Sequence, residues 1–327
     1  MTGAPVDQRS AHQLPGEARR AIPDAATEST WEAPDGHVLR RIDWPAGDGG
    51  RNRGSMLFMP GRGDAYEKYL ETLHHFYLQG WKVTALDWRG QAGSGRLGFD
   101  ETTGHVDDFA HWVDDLAAFW SEWECDHEKP RVIVGHSMGG HLVLRTLAEK
   151  RIDPAAAVLV APMLGFAGVP LPYWLLRAFG RLRASLGDPR RPAWKWSEKP
   201  GALPAGRQQL LTHDDTRYAD ESWWREKRPE LVMGPASWGW LEQSVISMRK
   251  VMAPDALGQV RLPVLLLLTS ADRLVSPSAI RKAAKLLPDA ELVEFGSASA
   301  HEILREADPV RDRALDAITR FFDENAR

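Results

Sequence analysis

The sequence predicts an α/β protein, a mostly parallel sheet flanked by helices, with a helical segment inserted late in the chain. Three observations carry this. Short, wholly apolar runs alternate with longer stretches whose apolar residues recur every three or four positions, as strands buried on both faces alternate with crossover helices. One strand-to-helix junction is Gly135-His136-Ser137-Met138-Gly139, a tight turn that exposes a serine at the carboxyl edge of a sheet. The alternation then breaks between Pro162 and Leu262, where several helical patterns and many Trp and Pro residues replace any convincing strand.

In chain order, two short stretches between Thr30 and Asp43, separated by Asp35-Gly36, predict a hairpin. Gly47 to Gly54 is a loop, Ser55–Met59 an apolar strand, and Pro60-Gly61-Arg62-Gly63 ends it sharply. Helical spacing runs from Tyr66 to Gln79, with Gly80 as its C-cap. Trp81 to Asp87 is the next strand, followed by the glycine-rich Trp88–Gly95 loop and a long amphipathic helix from Val106 to Trp123. Val132-Ile133-Val134 lead into the serine turn, and a helix follows from Gly140 to about Lys150. Ala155–Ala161, Val264–Thr269 and Glu291–Phe295 are further strands, and Ser278–Leu287 and Pro309–Phe322 further helices. The implied organisation is a loose N-terminal arm over 1–29, a core built from 30–162 and 263–327, and a helical cap over 163–262.

Composition narrows the class. The chain has 327 residues, 43% apolar and 26% charged, with a net charge of −4, ordinary for a globular protein and without the field that favours nucleic acid. No apolar run is long enough to span a bilayer, and residues 1 to 30 lack the apolar stretch of a signal peptide. The single cysteine, Cys125, excludes an intramolecular disulfide and fits a reducing compartment, so the expected location is cytoplasmic. No His/Cys grouping has metal-ligand spacing, and neither metal nor cofactor is implied. Of 14 tryptophans, seven fall between Pro162 and Leu241.

The glycines around Ser137 allow a strained backbone there and close approach of helix to strand, while the Met138 N–H, at the helix start, can face an oxyanion. A serine hydroxyl attacks a carbonyl only if a base takes its proton. Ligands of such sheets sit beyond the carboxyl ends of the strands, so acid and base belong in loops that follow strands. Ser270-Ala271-Asp272 follows Val264–Thr269, and Gly296 to His301 follows Glu291–Phe295. His301 can accept a proton near neutrality, and Asp272 can orient it. Asp272 could instead be a turn aspartate, and His301 a surface residue opening the next helix. His136 is expected to pack into the turn, and His141 to be structural. The second oxyanion donor is assigned to the Arg62 N–H, in the loop after Ser55–Met59.

Together these residues resemble the α/β-hydrolase superfamily, and within it the branch of bacterial lysophospholipases, monoacylglycerol lipases and serine-aminopeptidase-like hydrolases. The resemblance rests on Gly135-His-Ser-Met-Gly-Gly140, Asp87-Trp-Arg-Gly-Gln-Ala-Gly-Ser-Gly-Arg96, Ser270-Ala-Asp272 and Ala300-His-Glu-Ile-Leu304. Leu211–Tyr218 and Gly234–Leu241 are similar to the cap of the lysophospholipase members. It runs from about Trp31 to Asp323, and departs where the branch has His-Gly and this chain has Pro60-Gly61. It implies a serine hydrolase that cleaves the ester of a lysophospholipid or monoacylglycerol through an acyl-enzyme. One rival is an aminopeptidase-like amide hydrolase, which needs a cap carboxylate for a substrate ammonium; Glu221, Glu226 and Glu230 are available. The other is a non-catalytic lipid- or partner-binding protein of the same fold.

Between Pro172 and Leu186, Trp174, Leu175, Ala178, Phe179, Leu182 and Leu186 share one helical arc, and Arg177 to Lys199 carries seven basic and two acidic residues. Such a cap either packs that arc on the domain, or presents an apolar tunnel and a basic lip to lipid at the inner face of a membrane.

Overall fold

The computed structural model describes residues 18–45, 52–168, 173–194 and 205–326. Its centre is an eight-stranded sheet of order β1-β2-β4-β3-β5-β6-β7-β8. The predicted hairpin forms the antiparallel edge: β1 (Thr27–Glu32) pairs with β2 (Val38–Trp44) around the Asp35-Gly36 turn, where Gly36 takes φ 84°, a left-handed conformation that glycine adopts without strain. β2 pairs antiparallel with β4 (Lys82–Leu86). From β4 outward, β3 (Ser55–Met59), β5 (Arg131–His136), β6 (Ala156–Val160), β7 (Val264–Thr269) and β8 (Ala290–Phe295) are all parallel. Every residue of β3, β6 and β7 is buried, which is why these strands are apolar, but for Ser55 and Thr269 at their ends, rather than alternating.

Helices α1 (Leu70–Leu78), α2 (Phe109–Trp123), α3 (Met138–Ala148), α9 (Pro277–Leu286) and α10 (Asp308–Asn325) flank the sheet. Their limits differ from the sequence reading for local reasons. The helix expected from Val106 begins at Phe109 because Asp108 caps it, its carboxylate accepting the Ala110 N–H. The helix expected from Tyr66 opens as a 3-10 turn over Tyr66–Tyr69, whose Glu67 and Lys68 are drawn into buried ion pairs.

Between β6 and β7 lie α4 (Tyr173–Ser185), α5 (Ala205–Leu211), α6 (Asp215–Lys227), α7 (Trp238–Val251) and α8 (Pro254–Leu257), with no strand among the described residues. Polar anchors join this segment to the core, and two of them are deeply buried pairs between helices. His141 of α3, fully buried, hydrogen-bonds the Ser247 hydroxyl of α7 at 2.7 Å, and Arg145 donates to the same oxygen at 2.9 Å. Arg217 of α6 grips Glu71 of α1 through two hydrogen bonds of 2.8 and 2.9 Å and pairs with Asp308. Removing one partner of such a buried pair costs ~3–5 kcal/mol, chiefly because the other charge is left uncompensated.

From Ala18 onward, the stretch expected as part of a loose arm over 1–29 is attached to the rest of the protein. Ala18–Arg20 form a 3-10 turn, Arg19 and Arg20 pair with Asp220 of α6, and the Arg19 carbonyl accepts the Trp224 indole N–H. Residues 1–17, most of the Gly47–Gly54 loop, and Trp196 fall outside the described residues, as do the side chains of Trp174, Arg177 and Phe179. No described helix is long and apolar enough to cross a membrane.

Candidate active site

The turn after β5 holds Ser137 at φ 53°, ψ −117°, a strained conformation for a residue with a side chain. The surroundings enforce it. The Ser137 N–H donates to the Val160 carbonyl at 2.9 Å, and its carbonyl accepts the N–H groups of Met163 and His141 at 2.9 and 3.0 Å. The motif glycines are demanded by contact: a Cβ on Gly139 would lie 2.3 Å from the Met59 and Pro60 carbonyl oxygens, and one on Gly135 2.8 Å from the Gly140 backbone.

The three side chains picked from distant loops meet here. His301 Nε2 lies 2.9 Å from Ser137 Oγ, and its Nδ1 lies 2.7 Å from Asp272 Oδ2. The other Asp272 oxygen accepts the N–H groups of Leu274 and Val275 at 2.8 and 2.9 Å. Asp272 is therefore a turn aspartate as well as the partner of His301. The helix that follows has its own cap, Ser276. Nor is His301 a surface residue: it is 4% exposed. Its loop is hooked to the inserted segment, the His301 and Glu302 N–H groups donating to the Leu210 and Leu211 carbonyls of α5 at 3.3 and 2.8 Å.

Electrostatics follow from burial and pairing. Burial pushes the Asp272 carboxyl up, but the charge and hydrogen bond of His301 and the two turn N–H groups outweigh it and hold the pKa below the usual carboxylate range. Burial likewise pushes His301 down, and Asp272, with smaller contributions from Glu302 and Asp64, more than reverses this, leaving it above the ordinary 6.5. The pair stabilises an imidazolium, the state a proton-accepting histidine must reach.

Met138 opens α3, where the first N–H groups have no acceptor within the helix and carry its positive dipole end. The loop bearing Arg62 lies against the serine turn: a Cβ on Gly61 would come within 3.1 Å of the Ser137 Cβ. The Arg62 side chain donates to the Gly234 carbonyl at 2.8 Å and lies over the Trp240 ring.

Sequence reasoning missed the residue that holds this loop. Asp64 is buried and accepts the Gly61 N–H at 3.1 Å and the Tyr69 hydroxyl at 2.9 Å; it also bonds His136 Nδ1 at 3.1 Å and pairs with Lys68. Its signal was slight, an acid three residues after a loop glycine. His136 packs into the turn as expected, beside the His301 ring rather than as a rival base.

Ser137 and His301 line a cavity of about 480 Å³. Its wall is mainly apolar: Leu274 and Val275 come from the loop after β7, and the inserted segment supplies Met163, Phe166, Leu241, Val245, Trp194, Trp238 and Trp240. Such a volume suits a small organic ligand.

A family model described as serine aminopeptidase, S33, matches residues 50–308. The chain belongs to this family. Within the α/β-hydrolases, this S33 member is similar to lysophospholipase L2 of Escherichia coli strain K12, with 32% identity over 283 residues covering 83% of this chain and 80% of that protein. It is 27% identical to the monoacylglycerol lipase of Mycolicibacterium smegmatis over 164 residues, 49% of this chain and 57% of the other. Among solved structures, a soluble variant of the Saccharomyces cerevisiae monoglyceride lipase with a substrate analogue superposes with a TM-score of 0.72 at 18% identity, covering 93% and 98% of the two chains. The S33 protein is thus an α/β-hydrolase of the lysophospholipase and monoacylglycerol lipase branch, and an ester hydrolase.

Proposed function

We propose that this hydrolase cleaves the acyl ester of single-chain lipids, with Ser137 as nucleophile, His301 as base and acid, and Asp272 holding the imidazole tautomer. Ser137 Oγ attacks the ester carbonyl carbon as its proton passes to His301 Nε2, and the N–H groups of Met138 and Arg62 receive the oxyanion. Collapse expels the alcohol, which takes the proton from His301, and leaves the acyl group on Ser137. Water then repeats the sequence and releases the fatty acid. The observation that supports this most is the continuous hydrogen-bonded line from buried Asp272 through His301 to Ser137, ending in a largely apolar cavity.

Of the rivals, a non-catalytic role leaves the strained turn and aligned triad without use. An aminopeptidase-like site needs an available carboxylate. Glu221 is engaged by Lys68, Arg207, Arg225 and Arg305, while Glu226 and Glu230 are exposed and do not line the cavity. The cavity's own acids, Asp64 and Glu302, both pair with Lys68. We take residues 163–262 as the cap that covers the site.

The same reading extends to a membrane. Leu175, Ala178, Leu182 and Leu186 lie on an outward-facing row, with Leu182 53% and Leu186 72% exposed, against the alternative that this arc packs on the domain. Arg181 and Arg183 are exposed alongside, the arrangement of an interfacial helix. A cytoplasmic enzyme touching the inner face of the membrane fits this surface and the free thiol of Cys125.

The test is a panel of p-nitrophenyl esters, monoolein, lysophosphatidylcholine and aminoacyl amides. Hydrolysis of lipid esters is expected, and turnover of amides alone would replace this reading with the peptidase. Binding to vesicles with anionic lipid should exceed binding to neutral ones and fall in Leu182→Glu/Leu186→Glu; equal binding throughout would remove the membrane contact.

A further inference from the structure

The cavity wall carries four basic side chains, Arg62, Lys68, Arg207 and Arg273, against two acidic ones, Asp64 and Glu302, in a chain whose net charge is −4. Most of this charge is engaged. Lys68 pairs with Asp64, Glu302 and Glu221, and Arg207 with Glu221; Arg62 binds the Gly234 carbonyl. Arg273 differs. It follows Asp272 directly, its neighbours Leu274 and Val275 line the same cavity, and it is exposed. It makes no ion pair with any described residue.

We propose that Arg273 is a specificity residue that receives the phosphate of a lysophospholipid headgroup, so that the enzyme prefers phosphorylated single-chain lipids to neutral monoacylglycerols. This rests on the ester-hydrolase reading above and deepens it. The geometry is that of a two-part substrate. The acyl chain fills the apolar wall, the ester carbonyl meets Ser137, and only a glycerol unit separates that ester from the phosphate. A guanidinium at the rim offers two parallel N–H donors to phosphate oxygens, while its exposure spares it the cost of a buried unpaired charge. A monoacylglycerol has only a hydroxyl at that position. A charge-assisted hydrogen bond at a partly solvated rim discriminates by about tenfold and weakens as salt screens it.

The experiment compares kcat/KM for a lysophosphatidylglycerol and a monoacylglycerol of the same short acyl chain, both kept monomeric so that adsorption to lipid surfaces plays no part. Wild type, Arg273→Gln and Arg273→Lys are assayed, with thermal unfolding to verify the fold. The ratio of the two kcat/KM values should fall about tenfold in Arg273→Gln and recover in part in Arg273→Lys, and wild-type preference should decline with added salt. An unchanged ratio, with both substrates still cleaved, overturns the role of Arg273 and leaves the ester-hydrolase reading standing; cleavage of neither overturns both. Inorganic phosphate that inhibits both substrates equally, and only when Arg273 is present, would assign the residue to a free anion and also overturn the proposal.

Discussion

Ser137–His301–Asp272 and Ser237–His105–Asp107 use the same residue types and nearly the same hydrogen bonds. In the second chain, His105 Nδ1 lies 2.7 Å from Ser237 Oγ and Nε2 lies 2.8 Å from Asp107 Oδ1. The difference is in what is buried. Ser237 has no exposure, has relaxed extended backbone at φ −78°, and spends its hydroxyl capping α7 by accepting the Trp240 N–H at 3.0 Å. Its aspartate is 77% exposed. In the first chain the polarity is reversed: the aspartate is 1% exposed and the strained serine opens onto a cavity. A buried carboxylate acts on the imidazole at full strength, whereas an exposed one is screened by water, and a nucleophile must be reachable. Residue types and spacing therefore do not make a triad; burial at the acid end and access at the serine end do.

The largest expected effect breaks the pairing at its serines. Ser137→Ala should lower ester hydrolysis by ~10⁴-fold or more, whereas Ser237→Ala should keep most of the activity and lose ~1 kcal/mol of stability as an N-cap is removed. Comparable activity losses in steady-state assays of the two variants would erase the distinction. At the acids, Asp272→Asn should cost ~10³–10⁴-fold in kcat by misdirecting the tautomer. Asp107→Asn should shift stability by less than ~0.5 kcal/mol, as surface changes do.

A smaller loss is expected at Asp64, which orders the loop beside Ser137 by accepting the Gly61 N–H. Asp64→Ala should lower kcat by ~10²-fold through misplaced oxyanion donors while leaving KM within a few fold; a rise in KM alone, with kcat intact, would assign Asp64 to binding instead. The pH profile gives the mildest readout. Because His301 titrates above 6.5, the protonated, inactive form persists to higher pH than for a free imidazole, so log kcat/KM should rise with pH and level off only past neutrality. A profile flat from about pH 5 to 8 would contradict its role as base.

Much of this was legible in the sequence, and unevenly. The core strands were, because strands buried on both faces must be apolar throughout. The loop carrying Asp272 was, because it follows such a strand; the loop carrying His301 follows β8, a partly exposed edge strand with two glutamates, and was legible from its place after the last strand. The outward face of α4 was not: an amphipathic arc in sequence does not say whether it meets protein or lipid, and Leu182 and Leu186 look alike in either case. Nor were Asp64, whose role arises from contacts with Gly61, Tyr69 and His136 that only folding assembles, or the hydrogen-bonded row at His105, whose Ser237 comes from the inserted segment far along the sequence. The attachment of Arg19 and Arg20 to Asp220 was hidden by the polar composition of their surroundings.

The most direct test of the central claim is labelling with a fluorophosphonate followed by peptide mass spectrometry. Ser137 should carry the modification in wild type and in Ser237→Ala, with none in Ser137→Ala. Modification of Ser237, or undiminished labelling of Ser137→Ala, would contradict it.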